Sequence, residues 1–183
     1  MPNHALLSAS SSHRWLHCPP SARLCEGYDD KGSNFAAEGT DAHALCEYKL
    51  RTVLGMEAQD PTEDLSWYDT EMEECASSYA TFVMELVEEA KKTCPDPVVL
   101  IEQRLDYSRY VAEGFGTGDC VIIADGMLHI VDFKYGRGVL VEAEDNPQMM
   151  LYALGALELF DCLYDIDTVS MTIFQPRRGN VST

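Results

Sequence analysis

Between Asn34 and Leu54 the apolar residues Phe35, Ala42, Leu45, Cys46, Leu50, Val53 and Leu54 recur at the spacing of one helical face, and Gly55 follows as a stop. The pattern predicts a helix over 34–54. A second stripe of Trp67, Met72, Cys75, Tyr79, Phe82, Val83, Leu86, Val87 and Ala90 predicts a helix over 67–93, ended by Cys94-Pro95-Asp96-Pro97. The period then changes. Residues 98–107, 116–125 and 127–135 are short β-branched runs bounded by Gly and Asp, which read as three strands. Asp125-Gly126 joins the second and third as a tight antiparallel hairpin. Helical spacing returns over Asn146 to Leu163, with Pro147 in the first turn and Gln148, Leu151, Tyr152, Gly155 and Leu159 toward one side. Residues 168–175 then read as a strand after a helical crossover. The Ser-, Pro- and Gly-punctuated residues 1–33 predict an irregular lead-in anchored by Trp15, Leu16, Leu24 and Tyr28, with a short helix around 8–17 or 19–26. The expected fold class is α/β, in a single domain whose core spans 34–175.

Composition narrows the function classes. The 183 residues carry 13 Lys and Arg against 31 Asp and Glu, a formal net charge of -18, and nucleic-acid binders usually present a basic face instead. Eight acidic residues between Glu57 and Glu74, with no Lys or Arg among them, read as a solvated loop and helix start. Neither a long apolar run nor a secretory signal pattern is present, so the expected location is cytoplasmic, with no membrane partner. Seven scattered cysteines without a Cys-X-X-Cys pair indicate neither a disulfide framework nor a zinc ribbon.

The hairpin carries the chemistry. With Asp125 and Gly126 as its turn, 123 lies opposite 128, 121 opposite 130 and Asp119 opposite Asp132. Opposed side chains are about 5 Å apart at Cβ, where two like charges repel unless something sits between them. A divalent cation would do so, and hard oxygen ligands suit Mg²⁺ or Mn²⁺. A period of two puts Lys134 on the face of Asp132, where it can orient a nucleophile or meet developing phosphoryl charge. The plainer alternative is a surface cluster in which Lys134 offsets two carboxylates.

Gly116-Thr117-Gly118-Asp119, Asp132-Phe133-Lys134 and the pair Gln148 and Tyr152 together resemble the PD-(D/E)XK nuclease superfamily, in its RecB-like exonuclease branch. The spelling DFKYG followed by NPQMMLYALGA is similar to a phage and prophage subgroup. The resemblance implies a restriction-endonuclease-like core: a helix, a three-stranded antiparallel meander, a helix and a strand, with extra N-terminal helices. It implies Asp119, Asp132, Lys134, Gln148 and Tyr152 as catalytic residues. It further implies metal bound by His43, Asp119 and Asp132, with His43 supplied by Glu38-Gly39-Thr40-Asp41-Ala42-His43.

Three further residues have two readings each. Glu47, four residues after His43, shares its helical face. Glu102 is either a further ligand or an edge-strand surface residue. Arg137, between two glycines, either reaches a phosphate or is a solvated turn residue. Cys18 resembles the first ligand of the iron–sulfur nucleases of this branch, but no cysteine follows Cys162, so a cluster is not expected from these residues. A natural chain continuing past Thr183 would be one source of missing basic surface. The expected function is a Mg²⁺- or Mn²⁺-dependent deoxyribonuclease, an exonuclease of phage recombination or replication in a bacterial host. Its partners would be DNA and a recombination protein. The competing reading is a catalytically silent nuclease-fold module that binds DNA ends or a protein partner.

Overall fold

A computed structural model describes residues 5–25 and 33–183; Tyr28 lies outside the described residues. The lead-in holds both short helices that the sequence offered as alternatives: α1 (Ser12–His17), preceded by a 3-10 turn at Ala9–Ser11, and α2 (Ser21–Cys25). The long helices are α3 (Asn34–Val53) and α4 (Thr70–Ala90). Each starts on a side-chain cap that satisfies an orphan N–H: Ala36 N donates to Ser33 Oγ, and Met72 N to an Asp69 carboxylate oxygen 2.7 Å away. α4 is therefore shorter than its apolar stripe. Trp67 stays outside it, its N–H donating to Asp41 on α3.

The strands are β1 (Val98–Asp106), β2 (Phe115–Ala124), β3 (Met127–Phe133), β4 (Thr168–Gln175) and β5 (Asn180–Ser182), hydrogen-bonded in the order β1-β2-β3-β4-β5. β1, β2 and β3 form an antiparallel meander, β4 lies parallel to β3, and β5 returns antiparallel to β4. The crossover from β3 to β4 is α5 (Pro147–Tyr164), capped by Asn146 Oδ1, which accepts from Gln148 N and Met149 N. The mixed α/β class is thus as expected; β5 was not foreseen, because three residues are too few to carry a pattern.

Two apolar layers sandwich the sheet. On one side Leu45, Leu50, Met72, Tyr79 and Val83 of α3 and α4 pack on Cys120, Ile122, Val131 and Phe133. On the other, Met149, Tyr152 and Ala156 of α5 pack on Leu105, Val121, Ile123, Leu128, Ile130 and Ile173, joined by Ala9, Trp15 and Ala22 of the lead-in. Full burial of each large side chain contributes roughly 1.5–3 kcal/mol. Residues outside 34–175 therefore also pack into the core.

The meander contains one break that the sequence does not announce. Leu100 and Leu105 both lie on the α5 side, although a regular strand would put residues five apart on opposite faces. The pairing of β1 with β2 skips Glu102 and Asp119 and resumes in the same register, with Ile101 opposite Cys120 and Gln103 opposite Gly118. Glu102 absorbs the change by adopting a left-handed backbone at φ 51°. That conformation costs a non-glycine residue about 1–2 kcal/mol, and such strain tends to persist at functional sites.

Candidate functional site

The site lies where this break meets the open end of the β2–β3 hairpin. The hairpin pairs as its turn dictates, Ala124 with Met127 through Cys120 with Val131. Beyond the last pair, Asp119 turns its carboxylate inward, and its Oδ2 accepts from Phe133 N at 2.7 Å. Its Oδ1 lies 3.4 Å from His43 Nδ1. His43 is carried there because Ala42, Leu45 and Cys46 bury the neighbouring face of α3, and its ring stands edge-on to Phe133 with centroids 5.4 Å apart. The left-handed turn at Glu102 completes the group: one ligand atom each from His43, Glu102 and Asp119 lies within 4.8 Å of the others. All three are half-buried.

Their electrostatics reflect this crowding. Burial and the Asp119 charge push the Glu102 carboxyl up to about 7, with His43 acting in the opposite direction. Burial lowers the His43 pKa, but the charge and hydrogen bond of Asp119 outweigh it and raise the imidazole to about 9. Burial also opposes ionisation of Asp119, yet His43, Lys134 and the Phe133 N–H hold its carboxyl below the usual range.

Asp132 is placed differently. It is buried next to this group and is not one of the three: its Oδ2 lies 2.8 Å from Lys134 Nζ as an ion pair, and its Oδ1 accepts from Gln148 Nε2 at 3.1 Å. Burial pushes the Asp132 carboxyl up despite Lys134. Burial disfavours the Lys134 ammonium, but Asp132 outweighs it and keeps the pKa raised. Asp119 and Asp132 are thus relieved by separate cations, His43 on Asp119 and Lys134 on Asp132.

Gln148 ties the pieces together. Lys134 Nζ donates to its Oε1 at 3.0 Å, while its Nε2 donates to both Asp132 and the Tyr152 hydroxyl oxygen, 3.1 Å away in each case. Tyr152 is buried, and burial together with the Asp132 charge raises its phenol far above the ordinary value, so it stays protonated. Its ring occupies space that Gly116 leaves open: a Cβ at 116 would lie 2.7 Å from Tyr152 Cε1.

Glu47 and Arg137 are engaged elsewhere. Glu47 accepts from Arg51 Nε at 2.8 Å, one turn along α3. Arg137 is drawn to Glu71 at the start of α4, where Arg177 also pairs with Glu71 and, at 2.8 Å, with Glu38. The acidic stretch read as solvated therefore collects basic side chains from distant loops.

A cleft of about 650 Å³ opens over the group, lined by His43, Glu102, Asp119 and Tyr152, by Phe115–Thr117 and by Ala5 and Ser8–Ser10 of the lead-in. The lead-in wall was missed by sequence reasoning, since nothing local in Ser8-Ala9-Ser10 marks it as part of a site. Tertiary contacts hold it: Trp15 Nε1 donates to Ser8 O at 2.9 Å, and the Tyr107 hydroxyl lies 3.2 Å from Leu7 O. No helix among the described residues is long and apolar enough to cross a membrane.

Residues 4–183 match a family model described as "Protein of unknown function (DUF2800)", and the chain belongs to that family.

Proposed function

We propose that this member of the DUF2800 family is a metal-dependent deoxyribonuclease with a restriction-endonuclease-like core of the PD-(D/E)XK, RecB-like kind, acting as an exonuclease in phage recombination or replication. The observation that carries the reading is the convergence of His43, Glu102 and Asp119 on one open cleft, with the ion pair of Lys134 and Asp132 next to them. Surface ion networks seldom put two carboxylates and an imidazole together at a strained backbone position. The donor set fits a Mg²⁺ or Mn²⁺ ion: two hard oxygens and one imidazole nitrogen, with the cleft open beside them. When bound, such an ion lowers the pKa of a coordinated water and neutralises charge on a phosphoryl oxygen.

The side chains do the rest. Asp119 keeps one oxygen on Phe133 N–H, which orients the other toward His43 and Glu102. Lys134 stays protonated against Asp132 and stands ready to orient a nucleophile or to meet phosphoryl charge. Gln148 fixes the direction of Lys134 and uses the Tyr152 oxygen as an acceptor, which leaves the Tyr152 proton for an oxygen in the cleft. A mispositioned general acid or base loses much of its effect, so this clamp is part of the machinery.

The test is cleavage of linear, circular and single-stranded DNA, with an RNA control, by chelator-treated protein with and without Mn²⁺. Cutting that needs the ion and is lost in Asp119→Asn and Lys134→Ala supports the proposal. The net charge of -18 favours one competing reading, a silent module. Metal-replete protein that binds DNA ends and cuts none of the substrates would establish the module instead.

A further inference from the structure

Arg104 is an exposed cation beside the site. It sits on β1 two residues beyond Glu102, and its guanidinium lies over Phe115, with Cζ 3.5 Å from the ring centroid. Phe115 is itself part of the cleft wall, together with Glu102 and Asp119. Several neighbouring cations are paired, Lys134 with Asp132, Arg51 with Glu47, and Arg137 and Arg177 with Glu71. Arg104 makes no ion pair among the described residues. Asp106 is near enough to feel its charge, but Asp106 Oδ1 accepts from Ser108 N at 2.8 Å. The break at Glu102 shifts the alternation of β1 so that Leu105 takes the α5 side and Arg104 the opposite one, where it meets Phe115 of the cleft wall.

A guanidinium stacked on an aromatic ring keeps the donors around its edge free and loses little further freedom on binding, and its planar fork matches a phosphate. In a chain with so strong a negative charge, an uncompensated cation at the rim of an acidic cleft gives a polyanion a place to attach. We propose that Arg104, held on Phe115, grips a backbone phosphate of the substrate strand next to the phosphodiester at the His43–Glu102–Asp119 group; this rests on the nuclease reading above. Arg104 is a binding and positioning residue and takes no part in bond breaking.

The experiment compares the full-length protein with Arg104→Ala, Arg104→Lys and Phe115→Leu on a labelled oligonucleotide. Cleavage is measured in Mn²⁺ and equilibrium binding without it, each across a salt series, with melting curves to confirm folding. Loss of one charge-assisted contact should raise Kd and KM by about tenfold or more in Arg104→Ala, the effect falling on KM rather than kcat. The slope of log K against log salt should shrink by about 1. Arg104→Lys should restore the salt slope while recovering only part of the affinity, and Phe115→Leu should weaken binding with the slope kept. Folded Arg104→Ala with wild-type KM, Kd and salt slope would overturn the contact while leaving the nuclease reading intact. Wild-type protein that binds with the Arg104-dependent slope but never cuts would keep the contact and remove the nuclease reading. Protein that neither binds nor cuts would remove both.

Discussion

Glu102 is the residue at which strain, charge and the candidate chemistry meet. Its backbone is left-handed and its carboxyl is pushed up to about 7 by burial and by Asp119. A raised acid pKa means that the folded state holds a proton the unfolded chain has released. The stability linked to Glu102 is therefore fully present below about 4.5 and is lost as pH rises through about 7. His43, raised to about 9, adds a second loss in the same direction, between 6.5 and about 9. Metal-free wild-type protein should therefore lose stability between pH 5 and 9, and Glu102→Gln should lack the lower part of that loss. Urea midpoints at half-unit pH steps check this. Identical profiles for the two proteins would show that Glu102 ionises normally.

At the scale of elements, the contact between α5 and β2 decides where Tyr152 sits, and it depends on the absence of a side chain at 116. A Cβ there would lie 2.7 Å from the Tyr152 ring, so Gly116→Ala must displace a buried aromatic that Gln148 contacts. Overpacking of this kind costs about 1–3 kcal/mol. In a domain of this size that lowers Tm by roughly 2–4 °C per kcal/mol. Tyr152→Leu should relieve most of the penalty, so the double variant should be clearly non-additive in thermal melting. Strict additivity would show that the ring does not fill the space over Gly116. β3 and β4 carry a second pH-sensitive link, the 2.8 Å contact between His129 Nε2 and Thr172 Oγ1. Burial lowers His129 to about 4, so the stability it contributes is present above 6.5 and is lost as pH falls through about 4. His129→Gln should flatten the acid side of the stability profile, and an unchanged acid limb would exclude His129 as its source.

For the whole molecule, a cation that binds only the folded state adds stability as RT ln(1 + [L]/Kd). At a hundredfold excess over Kd the gain is about 2.7 kcal/mol, or roughly 5–10 °C in Tm. Chelator-treated wild-type protein should show that rise on addition of Mn²⁺. The rise should largely vanish in Asp119→Asn and Glu102→Gln and survive in Lys134→Ala. Asp132→Asn separates two ligand sets: a preserved shift fits a site built from His43, Glu102 and Asp119, whereas a lost one brings Asp132 into coordination after release from Lys134. Equal shifts in every variant would locate the ion elsewhere on this acidic surface.

Local rules made much of this protein readable before any fold was known. Helical spacing of apolar residues specified α3, α4 and α5, and Asp125-Gly126 set the hairpin register from Ala124 opposite Met127 to Cys120 opposite Val131, because a two-residue turn leaves no freedom in what faces what. The four-residue spacing of Gln148 and Tyr152 likewise put them on one face of α5, where they touch. Tertiary structure alone decided the rest. The left-handed turn at Glu102 has no glycine to signal it, and it exists because strands above and below the break must bury opposite sets of side chains. Arg137 went to Glu71 rather than to the cleft, a pairing between residues far apart in sequence that only the fold brings together. Ser8 and Ala9 became a cleft wall through Trp15 and Tyr107, the latter a hundred residues away, and no local pattern encodes a contact made at that distance.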